Sequence, residues 1–287
     1  MKRFDYLAPH SLAEALDMLS DRPEAIPLAG GTDLLVRVKE GSRAIEALLS
    51  LKRLPELRQY AHNGALTIGS TVTVSTITAD PHVQQAYAAL ALGAGLIGSV
   101  QIRNVATLGG NLCNASPSAD TALPLLVLGA QAVIAGPRGE RTIPLEEFFR
   151  GPGRTALQPG ELLKAVTVPR LPPHSGSFYL RHTPRARMDL AVVGVAAAVT
   201  VTADGSIVSA RLALGAVAPV PLRARQAEAL LAGQILTDEL CRDVGAAAAR
   251  EAEPIDDQRA PADYRRHLVD VLTRRALSGA LDRAQEV

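Results

Sequence analysis

The sequence predicts an α+β protein with two domains, and three observations support this. The chain has 287 residues, more than one compact core usually accommodates. The stretch 169–176 contains three prolines and one glycine, which is typical of a linker. Short strands and helices alternate before it, whereas long strands followed by helices come after it. We therefore expect domains at 1–172 and 173–287, the first built from two α/β lobes at 1–55 and 56–172.

The first lobe begins with a helix and a short strand. A capping-box pattern opens at Ser11, and apolar residues then recur at helical spacing, which predicts a helix at about 11–21. A buried strand is expected at 25–29. It runs into a glycine turn at 30–33 and a further helix start, an order that can direct backbone N–H groups at an anion.

The second lobe shows hairpin, cap and loop signals. Asn63-Gly64 between apolar runs predicts a β-hairpin, and Asp80-Pro81 predicts a helix start. The remaining elements expected here are a helix to about 92, a loop at 103–120, a helix at 119–129 and strands at 131–135 and 162–168.

The second domain is predicted to be an antiparallel sheet packed with helices. Asp204-Gly205 is a tight hairpin signal between two long apolar runs. The expected elements are strands at 177–182, 190–202 and 206–216 and helices at 222–232, 237–252 and 262–283.

The composition excludes several classes of protein. Hydrophobic residues make up 47% and charged residues 21%, as in an ordinary globular chain. The 30 Lys and Arg balance the 29 Asp and Glu, so charge gives no argument for nucleic-acid binding. Cys113 and Cys241 are too few for an iron–sulfur cluster or a disulfide framework, and the histidines have no metal-ligand spacing.

The same composition predicts a cytoplasmic protein without membrane insertion. The amino-terminal residues lack the apolar run of a signal peptide. No apolar run reaches the length of roughly 20 residues that a bilayer requires. The two widely separated cysteines fit a reducing compartment.

Two glycine segments are the best candidates for a binding site. The first, 29–35, has the sequence AGGTDLL, and the second, 107–111, has the sequence TLGGN and is followed by ASPSAD at 115–120. Paired glycines place no Cβ in the way and can offer several convergent N–H donors to a pyrophosphate. Taken singly, each segment has a simpler interpretation as a tight turn of an α/β domain.

A third glycine pattern, GAGLIG at 93–98, matches the literal GxGxxG of a Rossmann site. Its context does not fit, because 86–92 continues an Ala- and Leu-rich helix and 99–111 is broken by glycines. Gly93 and Gly95 are expected to end the helix.

Taken together, the two glycine segments resemble the flavin subunit of molybdenum hydroxylases of the carbon monoxide dehydrogenase and xanthine dehydrogenase type. The resemblance covers nearly the whole chain and extends to the stretches FDYLAPHSLAEAL, GELLKAVTVP, YLRHTPRARMDLAVVGVAA and ADYRRHLVDVLTRRAL. It implies the FAD-binding fold of the vanillyl-alcohol oxidase and p-cresol methylhydroxylase type, with two α/β lobes, and non-covalent FAD between them.

The resemblance also implies which residues hold the cofactor, and it implies no catalytic residue and no metal ligand in this chain. The implied cofactor-binding residues are Pro27, Leu28, Ala29, Gly30, Gly31, Thr32, Asp33, Leu34, Ile97, Thr107, Leu108, Gly109, Gly110, Asn111, Ser116, Asp120, Leu163 and Arg181.

Four of these positions depart from the family or have a simpler interpretation. Arg181 stands where many relatives have a Lys near the flavin, and it could instead be a surface residue of a strand. Ile97 stands where xanthine dehydrogenases have a Phe. Asp120, the family's carboxylate, could be a helix N-cap, and Leu163 could be a strand core residue.

By the same resemblance, FAD receives electrons from two two-iron two-sulfur clusters of a small partner subunit and passes them to an external acceptor. A large partner subunit with a molybdenum–pterin centre oxidises the substrate, and a dimer of heterotrimers is expected. The alternative is a stand-alone flavin oxidoreductase of the vanillyl-alcohol oxidase type. The substrate and the final acceptor (NAD, quinone, cytochrome or oxygen) stay open.

Overall fold

A computed structural model describes residues 3–186 and 188–286 of the chain, and within these residues the strands form four sheets. The first sheet is parallel, in the order β1-β3-β2. Its elements are β1 (Asp5–Leu7), α1 (Leu12–Asp21), β2 (Ala25–Leu28), α2 (Leu34–Lys39) and β3 (Ala47–Ser50). The expected first helix is confirmed, because the Ser11 side chain accepts a hydrogen bond from the Glu14 N–H.

The second sheet is antiparallel, in the order β4-β5-β10-β6-β7. Its strands are β4 (Tyr60–His62), β5 (Ala65–Gly69), β6 (Gln131–Gly136), β7 (Gly139–Pro144) and β10 (Leu162–Pro169). A two-stranded sheet lies beside it and consists of β8 (Phe149–Gly151) and β9 (Arg154–Thr155). The predicted hairpin is confirmed, and Gly64 has the positive φ of 74° that its turn requires.

Short helices connect the second and fourth strands of that sheet. They are α3 (Val74–Ala79), α4 (Pro81–Ala86), α5 (Ala88–Gly95), α6 (Val100–Arg103), α7 (Leu108–Cys113) and α8 (Ala122–Val127). The single helix expected from Asp80 is wrong, since Tyr87 interrupts it with a non-helical φ of −128°. The loop expected at 103–120 is also wrong, because Thr107 caps α7 inside it.

The third large sheet is antiparallel, in the order β11-β12-β13-β14. Its strands are β11 (Ser175–His182), β12 (Val193–Val201), β13 (Ile207–Gly215) and β14 (Leu222–Arg223), and the helices α9 (Arg225–Ala229), α10 (Asp238–Glu251) and α11 (Ala262–Gln285) follow. The three long strands and two long helices confirm the prediction. The helix expected at 222–232 is reduced to α9, because its first residues pair with β13.

Both faces of the third sheet are covered, which explains the long apolar run of β12. Val195, Ala197 and Val199 belong to the core that the strands form with α10 and α11. Ala196, on the opposite face, belongs to the core that includes α5 and α8. The helices α5 and α8 therefore pack against the third sheet. Among the described residues, no helix is both long and apolar enough to cross a membrane.

Candidate functional site

A cavity of about 730 Å³ lies where the first sheet, the short helices and the third sheet meet. Its walls come from the end of β2 and the start of α2, from 97–120, and from Leu162 and Leu163 of β10. A further part of the wall comes from Arg185, Met188, Asp189, Leu190 and Arg259. This volume is within the range of roughly 300–1,000 Å³ that is usual for cofactor pockets.

The first glycine segment presents a row of free backbone donors to this cavity. Within the described part of the chain, the N–H groups of residues 30–34 make no hydrogen bond to another backbone group, although Leu35 N–H already bonds to the Gly31 carbonyl. Both Gly30 and Gly31 are required by the turn. Gly31 has a φ of 79°, and a Cβ on Gly30 would lie 2.3 Å from the Val105 carbonyl oxygen. Consecutive N–H groups of this kind form an anion-binding concavity.

The second glycine segment uses its N–H groups within the protein. Leu108 N–H bonds to the Val72 carbonyl at 3.0 Å and Gly109 N–H to the Ser70 carbonyl at 3.0 Å. Gly110 N–H bonds to Thr107 Oγ1 at 3.1 Å, which caps α7. The expectation that this segment supplies free N–H donors is therefore wrong. A Cβ on Gly109 would lie 2.4 Å from the Ser70 Cβ, so this glycine allows close packing.

A buried ion pair forms one end of the cavity. The Asp120 carboxylate accepts a hydrogen bond from Tyr179 Oη at 2.6 Å on Oδ1 and one from Arg181 Nη1 on Oδ2. Arg181 also donates to the Leu96 carbonyl at 3.2 Å, and its side chain is only 4% exposed. Arg181 is thus not the surface residue of the simpler interpretation. Asp120 is not a helix N-cap either, because Thr121 occupies that position of α8.

Burial dominates the ionisation of this cluster. It raises the pKa of Asp120 above its usual value, although the Arg181 charge and the Tyr179 hydrogen bond act in the opposite direction. Burial and the neighbouring carboxylate raise the pKa of Tyr179 well above its usual value, so Tyr179 remains a neutral donor. The Arg181 guanidinium paired with Asp120 Oδ2 is the largest influence that favours the charged carboxylate at the cavity wall.

Most of the residues expected at the site line this cavity. They are Pro27, Leu28, Ala29, Gly30, Gly31, Thr32, Asp33, Leu34, Ile97, Thr107, Gly109, Gly110, Asn111, Ser116, Asp120 and Leu163. Two do not line it. Leu108 is fully buried in the core, and Arg181 lies behind Asp120. Leu163 belongs to the core, as the simpler interpretation expects, and it also lines the cavity.

The structure adds residues that the sequence analysis missed. Tyr179 was overlooked, although it stands two positions before Arg181 and therefore on the same face of the strand. Ser70 lines the cavity, and its buried hydroxyl has no protein partner. Arg37 of α2 donates to Asn114 Oδ1 at 3.0 Å and so joins α2 to the end of α7 along the cavity wall. No periodicity or motif identified these contacts.

The described residues offer little else that could act chemically. Burial raises the pKa of Cys113 to about 12, so this thiol is unreactive and serves packing. Within residues 3–186 and 188–286, no group of His, Cys, Asp or Glu side chains could hold a metal ion. Arg185 and Asp189 form a local ion pair at the cavity wall, with Nε and Oδ2 3.4 Å apart. Arg187, which lies between these two residues in the sequence, is outside the described residues.

Comparison with known protein families defines the class. Residues 2–171 match the FAD binding domain in molybdopterin dehydrogenase, and residues 178–280 match the CO dehydrogenase flavoprotein C-terminal domain. The chain therefore belongs to the family of FAD-binding subunits of molybdopterin dehydrogenases, which confirms the resemblance.

Individual relatives agree over nearly the whole length. The putative xanthine dehydrogenase FAD-binding subunit of Escherichia coli (strain K12) is 35% identical over 97% of each chain. The carbon monoxide dehydrogenase medium chain of Hydrogenophaga pseudoflava is 34% identical over 97% of each chain. A solved structure of carbon monoxide dehydrogenase from that organism, which lacks the Mo-pyranopterin moiety, matches with a TM-score of 0.94 at 33% identity over 98% of each chain.

A second solved structure, quinoline 2-oxidoreductase from Pseudomonas putida 86, matches with a TM-score of 0.92 at 30% identity over 99% of each chain. These relatives are subunits of larger enzymes, so the stand-alone alternative is not favoured.

The residues of this cavity fit FAD. The free N–H groups of residues 30–34 suit a pyrophosphate, which carries two negative charges and accepts hydrogen bonds from such donors. A Cβ on Gly110 would lie 2.9 Å from Thr107 Oγ1 and 3.9 Å from Ala29 Cβ, so the glycine keeps the space between the two glycine segments free. The aliphatic walls of Ile97 and Leu163 suit a planar ring in a chain without tryptophan.

Proposed function

We propose that this chain binds FAD in the cavity and serves as the electron-transfer subunit of a heteromeric molybdenum hydroxylase. The observation that carries the proposal is the row of free N–H groups at residues 30–34 in the wall of a cavity large enough for a dinucleotide. When bound, FAD supplies the redox chemistry, accepting electrons from iron–sulfur clusters and giving them to an external acceptor.

In this proposal, the protein's own residues bind and orient the cofactor. Residues 27–34 hold the pyrophosphate through backbone N–H groups, while Thr107, Gly110 and Asn111 form the opposite wall. Thr121 Oγ1 donates to Asn111 Oδ1 at 2.5 Å and so fixes that side chain. Asp120 accepts a hydrogen bond from the cofactor. No residue of the chain needs to act as a general base.

The partners follow from the relatives. The carbon monoxide dehydrogenase relative is a medium chain, a name that implies smaller and larger subunits. We propose a small partner subunit with two-iron two-sulfur clusters and a large one with the molybdenum–pterin centre, assembled as a dimer of heterotrimers. The thiols of Cys113 and Cys241 support a reducing, cytoplasmic location.

We also propose the domain division and the fold type. The boundary between 1–172 and 173–287 is supported by β10 ending at Pro169 and β11 beginning at Ser175. The lobe boundary near 55 falls between the parallel first sheet and the antiparallel second sheet. The lobed arrangement around one cavity supports the FAD-binding fold of the vanillyl-alcohol oxidase and p-cresol methylhydroxylase type.

Flavin content of the purified chain tests the proposal. Acid precipitation of the full chain is expected to release FAD, not FMN, in about one equivalent, with no flavin left in the pellet. Metal analysis is expected to find neither iron nor molybdenum on the chain, and native mass spectrometry of the complex should detect both partners. A chain that binds no FAD, or that turns over substrate without partners, would contradict the proposal.

A further inference from the structure

Tyr179 is a buried residue whose position is explained by its hydrogen bond to Asp120. The strand β11 places Tyr179 and Arg181 on the same face, and Gly194 of β12 lies opposite Arg181. A Cβ on Gly194 would lie 3.0 Å from Tyr179 Oη, so the absence of a side chain there leaves room for the phenol. The ring is buried at 3% exposure, and its hydroxyl donates to Asp120 Oδ1 at 2.6 Å.

The Asp120 carboxylate is held from two sides. Tyr179 and Arg181 occupy one oxygen each, from the third sheet. From the other side, α5 approaches so closely that a Cβ on Gly93 would lie 2.3 Å from the Asp120 carbonyl oxygen. Leu96 is the C-cap of the same helix, and its carbonyl accepts the second Arg181 bond at 3.2 Å. The third glycine pattern of the sequence thus serves this packing.

We infer that Tyr179 is a positioning residue that fixes the Asp120 carboxylate at the flavin end of the cavity, and that Tyr179, Asp120 and Arg181 set the flavin reduction potential as one unit. The inference rests on the proposed function. Arg181 does not line the cavity and is paired with Asp120 Oδ2, so the two opposite charges largely compensate each other toward the cofactor.

The direction of the effect follows from electrostatics. Reduction places negative charge on the flavin, and an uncompensated carboxylate nearby disfavours the reduced form. Removing the Tyr179 hydroxyl takes one donor away from Asp120 and leaves its charge less compensated. The reduction potential is therefore expected to fall. Replacing Asp120 by the neutral Asn removes the carboxylate charge, and the potential is expected to rise.

A double-mutant cycle on the full chain with bound FAD tests this inference. Tyr179→Phe is expected to lower the potential in the natural background and to produce no shift in the Asp120→Asn background, because the charge through which it acts is gone. A residue with only a packing role would give the same shift in both backgrounds. Equal shifts, or no shift in either background, would overturn the inference.

Three further variants keep the test decisive if Asp120→Asn does not fold. Gly194→Ala displaces the phenol without removing it and should lower the potential as Tyr179→Phe does. Arg181→Ala should lower it further, whereas Arg181→Lys should restore most of the natural value. Tyr87→Phe is the matched control, since Tyr87 is equally buried but donates to the Pro169 carbonyl at 3.3 Å, away from the cavity.

The outcomes separate the inference from the proposed function. If the natural chain holds no FAD, the proposed function fails. If it holds FAD and Tyr179→Phe shifts the potential no more than Tyr87→Phe does, only the role of Tyr179 fails.

Discussion

The first glycine segment, 29–35, and the second, 107–111, both line the cavity and carry the same Gly-Gly pair. In the first, the N–H groups of residues 30–34 are free, and the turn is held by Leu35 N–H and by close contact with Val105. In the second, the N–H groups are bonded to Ser70, Val72 and Thr107.

The difference shows that the same Gly-Gly pair can have two different structural roles. A positive φ at Gly31 turns consecutive N–H groups toward the cavity, where they can bind an anion. Gly109 instead allows two backbones to touch, which fixes the wall of the same cavity. We therefore propose that the first segment is a binding element, whereas the second is mainly a packing element, and variants in the two segments should have different kinds of effect.

The largest expected effect is on stability, at Gly109. A Cβ there would lie 2.4 Å from the Ser70 Cβ and 2.6 Å from its carbonyl oxygen, so Gly109→Ala should lower the free energy of unfolding by about 3 kcal/mol. Gly95→Ala is the control, because nothing lies within 4 Å of a Cβ at this helix end. Its change should stay below about 1 kcal/mol. Equal midpoints for the two variants in chemical denaturation would refute the packing role.

The next effect is on cofactor retention, at Gly110. Its added side chain would project past Thr107 Oγ1, at 2.9 Å, and narrow the cavity toward Ala29. Gly110→Val should weaken FAD binding at least about 100-fold, or about 2.7 kcal/mol, while the fold largely survives. Calorimetric titration with FAD measures the affinity, and circular dichroism measures whether the fold survives. Unchanged FAD affinity would mean that the bound cofactor does not contact the cavity wall at Gly110.

A smaller effect is expected at Gly31, where the same substitution can be compared with a remote glycine. Gly31→Ala forces a residue with a Cβ to a φ of 79°, which costs about 1–2 kcal/mol and turns the free N–H groups away from the cavity. FAD affinity should fall about tenfold.

Gly233→Ala provides the control, with a φ of 74° and open space around its Cβ, far from the cavity. It should cost comparable stability without changing FAD affinity. Parallel loss of FAD affinity in both variants would show that strain alone, and not the placement of the N–H groups, explains the result at Gly31.

The smallest effect concerns the helix cap. Thr107→Ala removes the acceptor of Gly110 N–H and should cost about 1 kcal/mol of stability with a less than tenfold loss of FAD affinity. Thr237→Ala removes the equivalent cap of α10, where Oγ1 accepts from Leu240 N–H at 3.1 Å. It should destabilise the protein to a similar degree and leave FAD affinity unchanged. Thr107→Ser is expected to restore both quantities, as differential scanning fluorimetry and titration can establish.

The sequence predicted that the two glycine segments lie together better than it predicted which of their N–H groups are free. Both glycine segments meet at the cavity, as their pairing suggested. Whether an N–H group is free depends on the neighbours that β5 and the residues after it provide, such as Ser70 and Val72. Those contacts join residues distant in the sequence, and no local pattern contains them.

The mistaken elements have the same origin. The stretch at 103–120 looks like a loop because glycine and asparagine favour turns, yet Thr107 capping and burial of Leu108 and Leu112 give a short helix. Tyr179 was missed because one tyrosine in a strand has no motif, and only the fold brings it to Asp120. Alternation along β11 does place it on the face of Arg181, which is the one local signal available.

Residue-resolved amide hydrogen exchange, with and without FAD, tests the contrast between the two glycine segments most directly. The free N–H groups of residues 30–34 should exchange rapidly in the FAD-free chain and become protected when FAD binds. Those of Leu108, Gly109 and Gly110 should be protected in both states, because their acceptors belong to the protein. Exchange at residues 30–34 that stays fast with stoichiometric FAD bound would contradict the account.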